Sequence, residues 1–227
     1  MCGRFTQKSE RKTISIEFYV QEFISDVFLS YNVAPGQEAG VILRDGETRY
    51  DRFKWGLVPI WSKTPQAGRM INARAETVAE KPSFRNGFKK KRCLVPADGF
   101  YEWKKTGAVK TPYYIYGASG RPLGLAGLWE SWRPKGEEEA QPLLTFTIIT
   151  TAANARMAEL HDRMPVILKP EDRDTWLDSR SDPDDLLELL TPCPPDSIDF
   201  HRVSTLVNSP QNNVPACIIP AEEESLF

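Results

Sequence analysis

The sequence has few of the residues from which metal sites and disulfide frameworks are built. Its 227 residues include two histidines and four cysteines. The cysteines are widely separated and form no Cys-x-x-Cys pair; they are Cys2, Cys93, Cys193 and Cys217. This spacing does not favour a zinc site, and without a secretory signal it indicates reduced thiols in the cytoplasm. We therefore expect no metal and no disulfide.

Long apolar runs and phosphate-binding loops are also missing. No apolar run approaches the ~20 residues that a membrane-spanning helix needs, so we expect no membrane partner. Basic residues interrupt any signal-peptide core near the start: Arg4, Lys8, Arg11 and Lys12. The sequence contains neither Gly-x-Gly-x-x-Gly nor Gly-x4-Gly-Lys-Ser/Thr, and it has no Gly-x-Ser-x-Gly. These absences give no support to a nucleotide cofactor or a serine hydrolase, and we expect no cofactor.

The balance of charge limits the kind of partner. The net charge is -2, so the chain lacks the basic excess of an indiscriminate polyanion binder. A local exception is FRNGFKKKRC, from Phe84 to Cys93, where aromatic rings are interleaved with cations. Such interleaving suits a nucleic-acid strand, although a charge run is more often a solvated surface. Both interpretations of this stretch stay open. The acidic tail CIIPAEEESLF is expected to lie off any DNA groove.

Aromatic and β-branched residues recur in short runs separated by glycine or proline, which predicts consecutive strands. The runs are KRCLVPADGFYEWKK, PYYIYG, PLGLAGLWESW and LLTFTIITTAA. Asp45-Gly46 predicts the turn of a further hairpin in GVILRDGETRYDRFKWG. Because strands and helices do not alternate regularly, we predict an α+β fold: a curved, mostly antiparallel β core like an open barrel, with peripheral helices. No composition shift divides the chain, so we expect one domain over residues 1–227.

Four segments predict helices. Apolar residues at helical spacing favour an amphipathic helix from Ser9 to Leu29. Three shorter helices are predicted over residues 154–162, 169–179 and 182–190. Pro170, followed by acidic residues, suits the first turn of the second of these.

The opening residues, MCGRF, present a candidate nucleophile. Removal of Met1 would leave Cys2 with a thiol and an α-amine on adjacent carbons. The amine pKa of ~7.7–8.0 leaves a neutral fraction near pH 7, which can attack an aldehyde to give a Schiff base. The thiol can then close on the imine carbon to give a thiazolidine. Arg4 could hold a phosphate or lower the thiol pKa. On this cluster alone, an incidental cysteine is the simpler interpretation.

Two motifs offer polar side chains without deciding a function. In INARAET, Asn72 supplies an amide and Arg74 a phosphate-binding guanidinium, but a turn with solvated polar groups explains them equally well. In ELHDRMPVIL, His161 follows a predicted helix and can move protons near neutral pH. A histidine satisfied by the backbone at a helix end is as good an interpretation.

A third motif, ADGFYEWKK, places a carboxylate among aromatic residues. Strand alternation puts Glu102 on the face opposite Tyr101 and Trp103. If that face is buried, desolvation favours a general acid/base role for Glu102. If the face is exposed, Glu102 points to water. The sequence weights these alternatives evenly.

Six segments taken in order resemble one known family, the SOS-response-associated peptidase (SRAP) family. They are MCGRF, YNVAPGQ, WGLVPIW, INARAET, CLVPADGFYEWKK and ELHDRMPVIL. The resemblance runs from Cys2 to about Ser204, nearly the whole chain. It implies a curved, largely antiparallel β core with a positively charged groove. It also implies that the protein recognises abasic sites in single-stranded DNA and cross-links to them through its N-terminal cysteine.

The resemblance also implies roles for individual residues. Cys2 would be the nucleophile after loss of Met1, which the protein would remove itself. Asn72 would orient the N-terminus and the ring-opened sugar, and His161 would move protons during Schiff-base formation. Glu102 would be the general acid/base for Met1 removal, sugar ring opening and reversal of the link.

A second set of residues would hold the DNA. Arg4 and Arg74 would grip the phosphates that flank the lesion. The residues that the resemblance places along the DNA cleft are Asn32, Pro35, Trp61, Trp103 and Thr150. We expect a monomer in the cytoplasm, associated with the nucleoid when bound to damaged DNA.

Two other functions use the same residues. The first is a thiol peptidase that cleaves peptides in trans, with Cys2 as nucleophile and Glu102 or His161 as base. The second is a non-covalent reader of single-stranded or modified DNA, in which Cys2 is incidental. The position of Cys2 directly behind Met1 argues against the reader, because a binding module has no need of an α-amine.

Overall fold

The computed structural model describes residues 2–137 and 139–221; Met1 and most of the acidic tail lie outside these residues. The strands are β1 Phe5–Gln7, β2 Glu22–Phe23, β3 Ser30–Val33, β4 Glu38–Asp45, β5 Glu47–Trp55, β6 Asn72–Arg74, β7 Arg92–Ala97, β8 Gly99–Thr106, β9 Val109–Gly117, β10 Leu123–Trp132, β11 Leu143–Ala152, β12 Arg163–Pro165, β13 Ile167–Leu168 and β14 Ile198–Arg202. The α-helices are α1 Arg11–Phe18, α2 Arg85–Lys90, α3 Arg173–Leu177 and α4 Pro183–Glu188. Within the described part of the chain, no helix is long and apolar enough to cross a bilayer.

Five strands form a closed barrel at the centre of the molecule. The antiparallel order β5-β4-β7-β10-β11 is completed by a parallel pair between β11 and β5, with Thr145 opposite Lys54 and Phe146 opposite Trp55. Closure leaves these strands without a free edge, and large apolar side chains fill the interior. The α+β class and the curved, mostly antiparallel core are therefore confirmed. We expected an open barrel, and the structure shows that the pair between β5 and β11 closes it.

A second, antiparallel sheet packs beside the barrel in the order β14-β9-β8-β1-β3. The N-terminal strand β1 lies inside this sheet, between β8 and β3. It is also tied to the barrel by Gln7, whose Nε2 donates to the carbonyls of Gly40 at 2.8 Å and Pro96 at 2.7 Å. Gln7 Oε1 accepts from the amide of Gly40 at 2.8 Å. The start of the chain is thereby fixed in both sheets.

The predicted hairpin is confirmed. β4 and β5 pair antiparallel up to Asp45 opposite Glu47, and the turn residue Gly46 has a φ of 78°. Glycine adopts this left-handed region without the steric cost that a side chain imposes.

The predicted helix from Ser9 to Leu29 is wrong beyond Phe18. Tyr19 adopts a left-handed conformation with a φ of 53°, and its amide caps the helix. The chain then pairs with β5: the amide of Ile24 donates to the carbonyl of Tyr50 at 2.9 Å. Residues that the apolar spacing assigned to a helix therefore form sheet hydrogen bonds with β5 instead.

The other helix predictions are confirmed in part. Residues 169–179 hold a 3-10 turn, Pro170–Asp172, followed by α3, and residues 182–190 hold α4. The helix predicted over 154–162 is only a 3-10 turn, Met157–Glu159. The run KRCLVPADGFYEWKK is two strands, β7 and β8, which belong to different sheets.

Candidate functional site

Cys2 lies where the barrel meets the second sheet, and its side chain is completely buried. It belongs to the same apolar cluster as Phe5, Trp55 and Phe146. The rings of Phe5 and Trp55 meet edge to face, with centroids 4.9 Å apart. The first residues of a domain are usually poorly ordered unless they are tied down. Here the packing holds Cys2 in one place.

Asn72 fastens the N-terminal segment to the barrel. Its Nδ2 donates to the carbonyl of Cys2 at 2.9 Å. Asn72 begins β6, which runs parallel to β11 and lies opposite Ile148. Its Oδ1 is buried and accepts no hydrogen bond within the described residues. Because buried polar atoms are normally satisfied, this oxygen is available to a donor on a bound ligand.

Glu102 reaches the same place from β8. In the register of β1 with β8, Phe5 faces Phe100, and the amide of Tyr101 donates to the carbonyl of Arg4 at 2.9 Å. Glu102 is the next residue of β8 after Tyr101, so the antiparallel pairing places it beside the start of the chain. Glu102 is 4% exposed, so the interpretation that it points to water is wrong. Tyr101 belongs to a separate apolar cluster that includes Trp103, as the strand alternation predicted.

The pKa of the Cys2 thiol is raised far above its ordinary value. Burial is the largest cause, and the negative charge of Glu102 raises the pKa further. A backbone hydrogen bond from Arg4 lowers it, but by less. Arg4 therefore lowers the thiol pKa, as the sequence allowed, but desolvation outweighs its effect. A neighbouring base has to take the thiol proton when the sulfur reacts.

His161 lies between the Met157–Glu159 turn and β12. The backbone amide of Arg163 donates to its Nδ1 at 3.0 Å, and Asp162 Oδ1 lies 2.8 Å from the same nitrogen. The neutral ring accepts from Arg163 and carries its proton on Nε2, whereas the protonated ring can donate from Nδ1 to Asp162. Nδ1 therefore has a hydrogen-bond partner whether or not it carries a proton.

A family model described as SOS response associated peptidase (SRAP) matches residues 1–210. The chain belongs to the SRAP family.

Curated SRAP relatives cover most of the chain. The abasic site processing protein YoqW of Bacillus subtilis is 46% identical over 96% of this chain and 99% of its own length. The abasic site processing protein YedK of Escherichia coli is 31% identical over 97% of this chain and 100% of its own. The abasic site processing protein HMCES of Gallus gallus is 36% identical over 85% of this chain and 66% of its own. All three relatives are named for the processing of abasic sites.

Solved structures show the same fold. A crystal structure of a protein from Bacteroides thetaiotaomicron superposes with a TM-score of 0.84 at 29% identity, covering 97% of this chain and 100% of that chain. A phage-related protein from Bordetella bronchiseptica superposes with a TM-score of 0.69 at 31% identity, covering 89% of this chain and 94% of that chain.

Sequence reasoning missed an ion pair that joins two SRAP motifs. Both terminal nitrogens of Arg163 donate to the carboxylate of Glu76, with 2.9 Å between Nη2 and Oε2. Arg163 Nη2 also donates to the carbonyl of Thr150 at 2.7 Å. These bonds hold the pKa of Glu76 below its usual range. Glu76 lies in INARAET and Arg163 lies in ELHDRMPVIL, so their membership of these motifs could have indicated that they matter.

Three of the predicted DNA-cleft residues of the SRAP chain are exposed. They are Arg74, at the end of β6, Pro35 and Trp61, whose side chain is 57% exposed. The loop that carries Trp61 is closed by Gly56, which has a φ of 117° and lies so near Gly68 that a Cβ would meet its backbone nitrogen at 2.0 Å. An exposed aromatic ring on a restrained loop suits base stacking.

The other predicted DNA-cleft residues are more enclosed. Thr150 is fully buried, and Asn32 is 1% exposed. Arg4 Nη1 donates to Asn32 Oδ1 at 2.7 Å and to the carbonyl of Val207 at 2.8 Å. Trp103 is half-buried. The Asn32 and Thr150 side chains are thus enclosed by the protein, and their place along a DNA cleft stays a prediction.

The basic stretch from Phe84 to Cys93 contributes one cation to the fold of the SRAP domain and exposes others to solvent. Arg92 is 5% exposed, so a direct phosphate contact by this residue is ruled out. Its guanidinium donates to four backbone carbonyls, those of Phe88, Lys89, Trp176 and Asp178. Lys91 forms an ion pair with Glu130, and the side chains of Lys89 and Lys90 face solvent. The interpretation as a solvated surface fits these lysines.

All four cysteines are free thiols, and each is buried. In residues 2–137 and 139–221, no group of three or more His, Cys, Asp or Glu side chains is arranged to hold a metal ion.

Proposed function

We propose that this protein recognises abasic sites in single-stranded DNA and captures them as a covalent thiazolidine on Cys2, after hydrolytic removal of Met1. The observation that carries the proposal is the convergence on Cys2: Asn72 Nδ2 holds its carbonyl at 2.9 Å, and Glu102 approaches from β8 with its charge acting on the thiol. An abasic deoxyribose opens to an aldehyde, the electrophile that an aminothiol selects.

The reaction balances without an oxidant or a reductant. Hydrolysis of the Met1–Cys2 peptide bond consumes one water and frees the α-amine. The amine adds to the aldehyde carbon and water leaves, which gives the Schiff base. The sulfur then adds to the imine carbon, and the thiol proton moves to the nitrogen. The net change for cross-linking is the loss of one water.

Glu102 and His161 supply the proton transfers in this scheme. Burial and the charge of Glu102 raise the thiol pKa, so the thiol stays protonated until a base removes its proton. Glu102, whose charge acts on the thiol, removes this proton, and it also assists removal of Met1, opening of the sugar and reversal of the link. His161, whose Nδ1 has a partner whether or not it carries a proton, donates a proton to the departing water. Asn72 Oδ1 accepts from a hydroxyl of the opened sugar.

The remaining residues hold the strand. Arg74 is exposed beside Asn72 and binds a phosphate next to the lesion. Arg4 contributes positive charge near Cys2 while its Nη1 holds Asn32. Trp61 and Trp103 stack on the neighbouring bases. Pro35, Asn32 and Thr150 shape the groove between them. We further propose that residues 1–227 act as one domain, as a cytoplasmic monomer that joins the nucleoid at damaged DNA.

The first test mixes the protein with single-stranded DNA that carries one abasic site. Denaturing electrophoresis and intact mass spectrometry are run on the wild type, Cys2→Ala and Cys193→Ala. Cys193 is the matched control because it is the most exposed of the four thiols, at 7%. We expect a heat-stable adduct with wild type and Cys193→Ala but none with Cys2→Ala. Its mass should equal the protein without Met1 plus the DNA less one water.

Other outcomes separate the alternative functions. If Cys2→Ala forms as much adduct as wild type, the aminothiol mechanism is wrong. If no adduct forms but the wild type hydrolyses added peptides without DNA, the protein is a peptidase that acts in trans. If it forms no adduct and hydrolyses no peptide, yet binds the strand equally well with Cys2→Ala, it is a non-covalent reader.

A further inference from the structure

A segment near the end of the described chain covers the strands that carry the site. We call residues 204–213 the strap. It begins with a short 3-10 turn, Thr205–Asn208, in which the Ser204 hydroxyl accepts from the amide of Leu206. The buried side chain of Val207 fixes it to the apolar cluster that includes Tyr101. None of the SRAP motifs identified in the sequence lies in the strap.

The polar anchor of the strap is Asn32. Its Nδ2 donates to the carbonyls of Ser209 at 2.9 Å and Asn212 at 2.8 Å, and more distantly to that of Val207 at 3.3 Å. Arg4 Nη1 donates to the same Val207 carbonyl at 2.8 Å. The residues on both sides of Asn208 are thus held by side chains from β3 and the N-terminal segment. The backbone of Asn208 is fixed, although its own side chain is exposed.

Asn208 uses this fixed position to hold Trp103. The indole Nε1 of Trp103 donates to Asn208 Oδ1 at 2.7 Å. The guanidinium of Arg4 lies 5.9 Å from the centroid of the same ring. An indole has one N–H, so a hydrogen bond at one edge and a cation near the ring restrict its rotation. Trp103 follows Glu102 directly in β8, so the ring is carried by the same strand as the candidate site.

We propose that Asn208 is a positioning residue: it holds the indole of Trp103 in the orientation that stacks on a base beside the lesion. The strap is therefore a wall of the DNA groove and not only a covering of the sheet. This inference rests on the proposed function, because it assigns Trp103 to single-stranded DNA. A ring already held in its binding orientation loses less freedom when a base stacks on it.

The direct test follows the Trp103 indole by 15N NMR. The Nε1–H resonance, assigned with Trp103→Phe, should move in Asn208→Ala and in Asn208→Leu, which has a similar size but no acceptor. It should stay near the wild-type position in Asn208→Asp, which keeps an acceptor oxygen. A resonance that does not move in Asn208→Ala or Asn208→Leu overturns the proposal.

The functional test is a double-mutant cycle on non-covalent binding, made in a Cys2→Ala chain so that no cross-link forms. Anisotropy of a fluorescein-labelled oligothymidylate measures the dissociation constant. We expect Asn208→Ala to weaken binding about three- to tenfold, the range for loss of one hydrogen bond. In a Trp103→Phe background, where the ring has no N–H, Asn208→Ala should have no further effect. The control is Gln211→Ala, in the same strap, whose side chain bonds Ser209.

The outcomes separate this inference from the proposed function. Equal weakening by Asn208→Ala in the Trp103 chain and in the Trp103→Phe chain overturns the inference, because the effect then does not pass through the indole N–H. Weakening by Gln211→Ala to the same extent also overturns it. Failure of every chain to bind the strand rejects the DNA function and the stacking role together, while the NMR result still decides whether Asn208 orients the ring.

Discussion

Replacement of Arg92 tests whether the basic stretch serves the fold or the DNA. Methionine is a suitable substitute because it keeps much of the length of the side chain but donates no hydrogen bond. Arg92 is 5% exposed and donates to four carbonyls, at 2.6 to 2.8 Å. Arg92→Met leaves those acceptors without their donor, in a region that the side chain itself seals from water.

The size of the effect follows from these bonds. A hydrogen bond to a charged group contributes about 1.5–3 kcal/mol, but four bonds to one group do not add. The carbonyls of Lys89 and Asp178 lie near the ends of short helices and can reach water in the variant. We therefore expect Arg92→Met to lower the free energy of unfolding by about 3–5 kcal/mol, the cost of breaking a buried charged network. In a protein of this size each 1 kcal/mol lowers Tm by about 2–4 °C, so Tm should fall by about 6–20 °C.

The assay combines thermal unfolding by circular dichroism with DNA binding at a temperature where both proteins are folded. Lys90→Met is the matched control, since Lys90 is exposed in the same stretch, and its Tm should change by about 2 °C or less. Binding of single-stranded DNA by folded Arg92→Met should equal that of wild type. The reasoning is refuted if Arg92→Met keeps the wild-type Tm, or if it keeps its fold and loses DNA affinity.

Three further predictions concern stability. Arg163 holds the pKa of Glu76 below its usual range, so their bond stabilises the fold above pH ~4.3 and this contribution is lost as the pH falls through the lowered pKa. Urea midpoints between pH 7 and pH 3 should therefore fall less in Glu76→Gln than in wild type; equal falls would contradict this. Burial raises the pKa of the Cys93 thiol. The protonated thiol therefore contributes fully to the stability of the fold below pH ~8.5, and this contribution declines as the pH rises towards the folded pKa. Cys93→Ala should reduce the decline in urea midpoint between pH 8 and pH 10, and an unchanged decline would count against it. Gly56→Ala should lower the free energy of unfolding by about 3 kcal/mol or more, because its Cβ would lie 2.0 Å from the backbone of Gly68 and the residue has a φ of 117°. A Tm within about 2 °C of wild type would disprove this clash.

Much of the site could be predicted because its residues lie in short motifs with local geometry. Alternation in ADGFYEWKK was enough to separate Glu102 from Tyr101 and Trp103. Asp45-Gly46 predicted its hairpin because a tight turn depends on two residues and their neighbours. These signals are local, and tertiary packing only selects among the few conformations that they allow.

The rest depends on contacts between distant segments. Nothing near Tyr19 indicates that the chain will leave helix α1 to pair with β5, because the partner strand supplies the hydrogen bonds. The role of Asn32 was likewise hidden: its amide bonds residues 207, 209 and 212, up to 180 positions away. The thiol pKa of Cys2 could not be foreseen either, since burial depends on how the barrel and the second sheet meet.

The pairing of β5 with β11 delays the enclosure of Cys2 while the chain is being synthesised. Cys2 is made among the first residues, whereas β11 and His161 follow about 140 to 160 residues later. At ~5–20 residues per second, translation needs about 8 to 30 seconds to supply them. During that interval the barrel is not closed, and Cys2 lacks the part of its apolar surroundings that β11 supplies. Because Trp55 and Phe146 pack in the same cluster as Cys2, Cys2 is fully enclosed only after roughly two thirds of the protein has been synthesised.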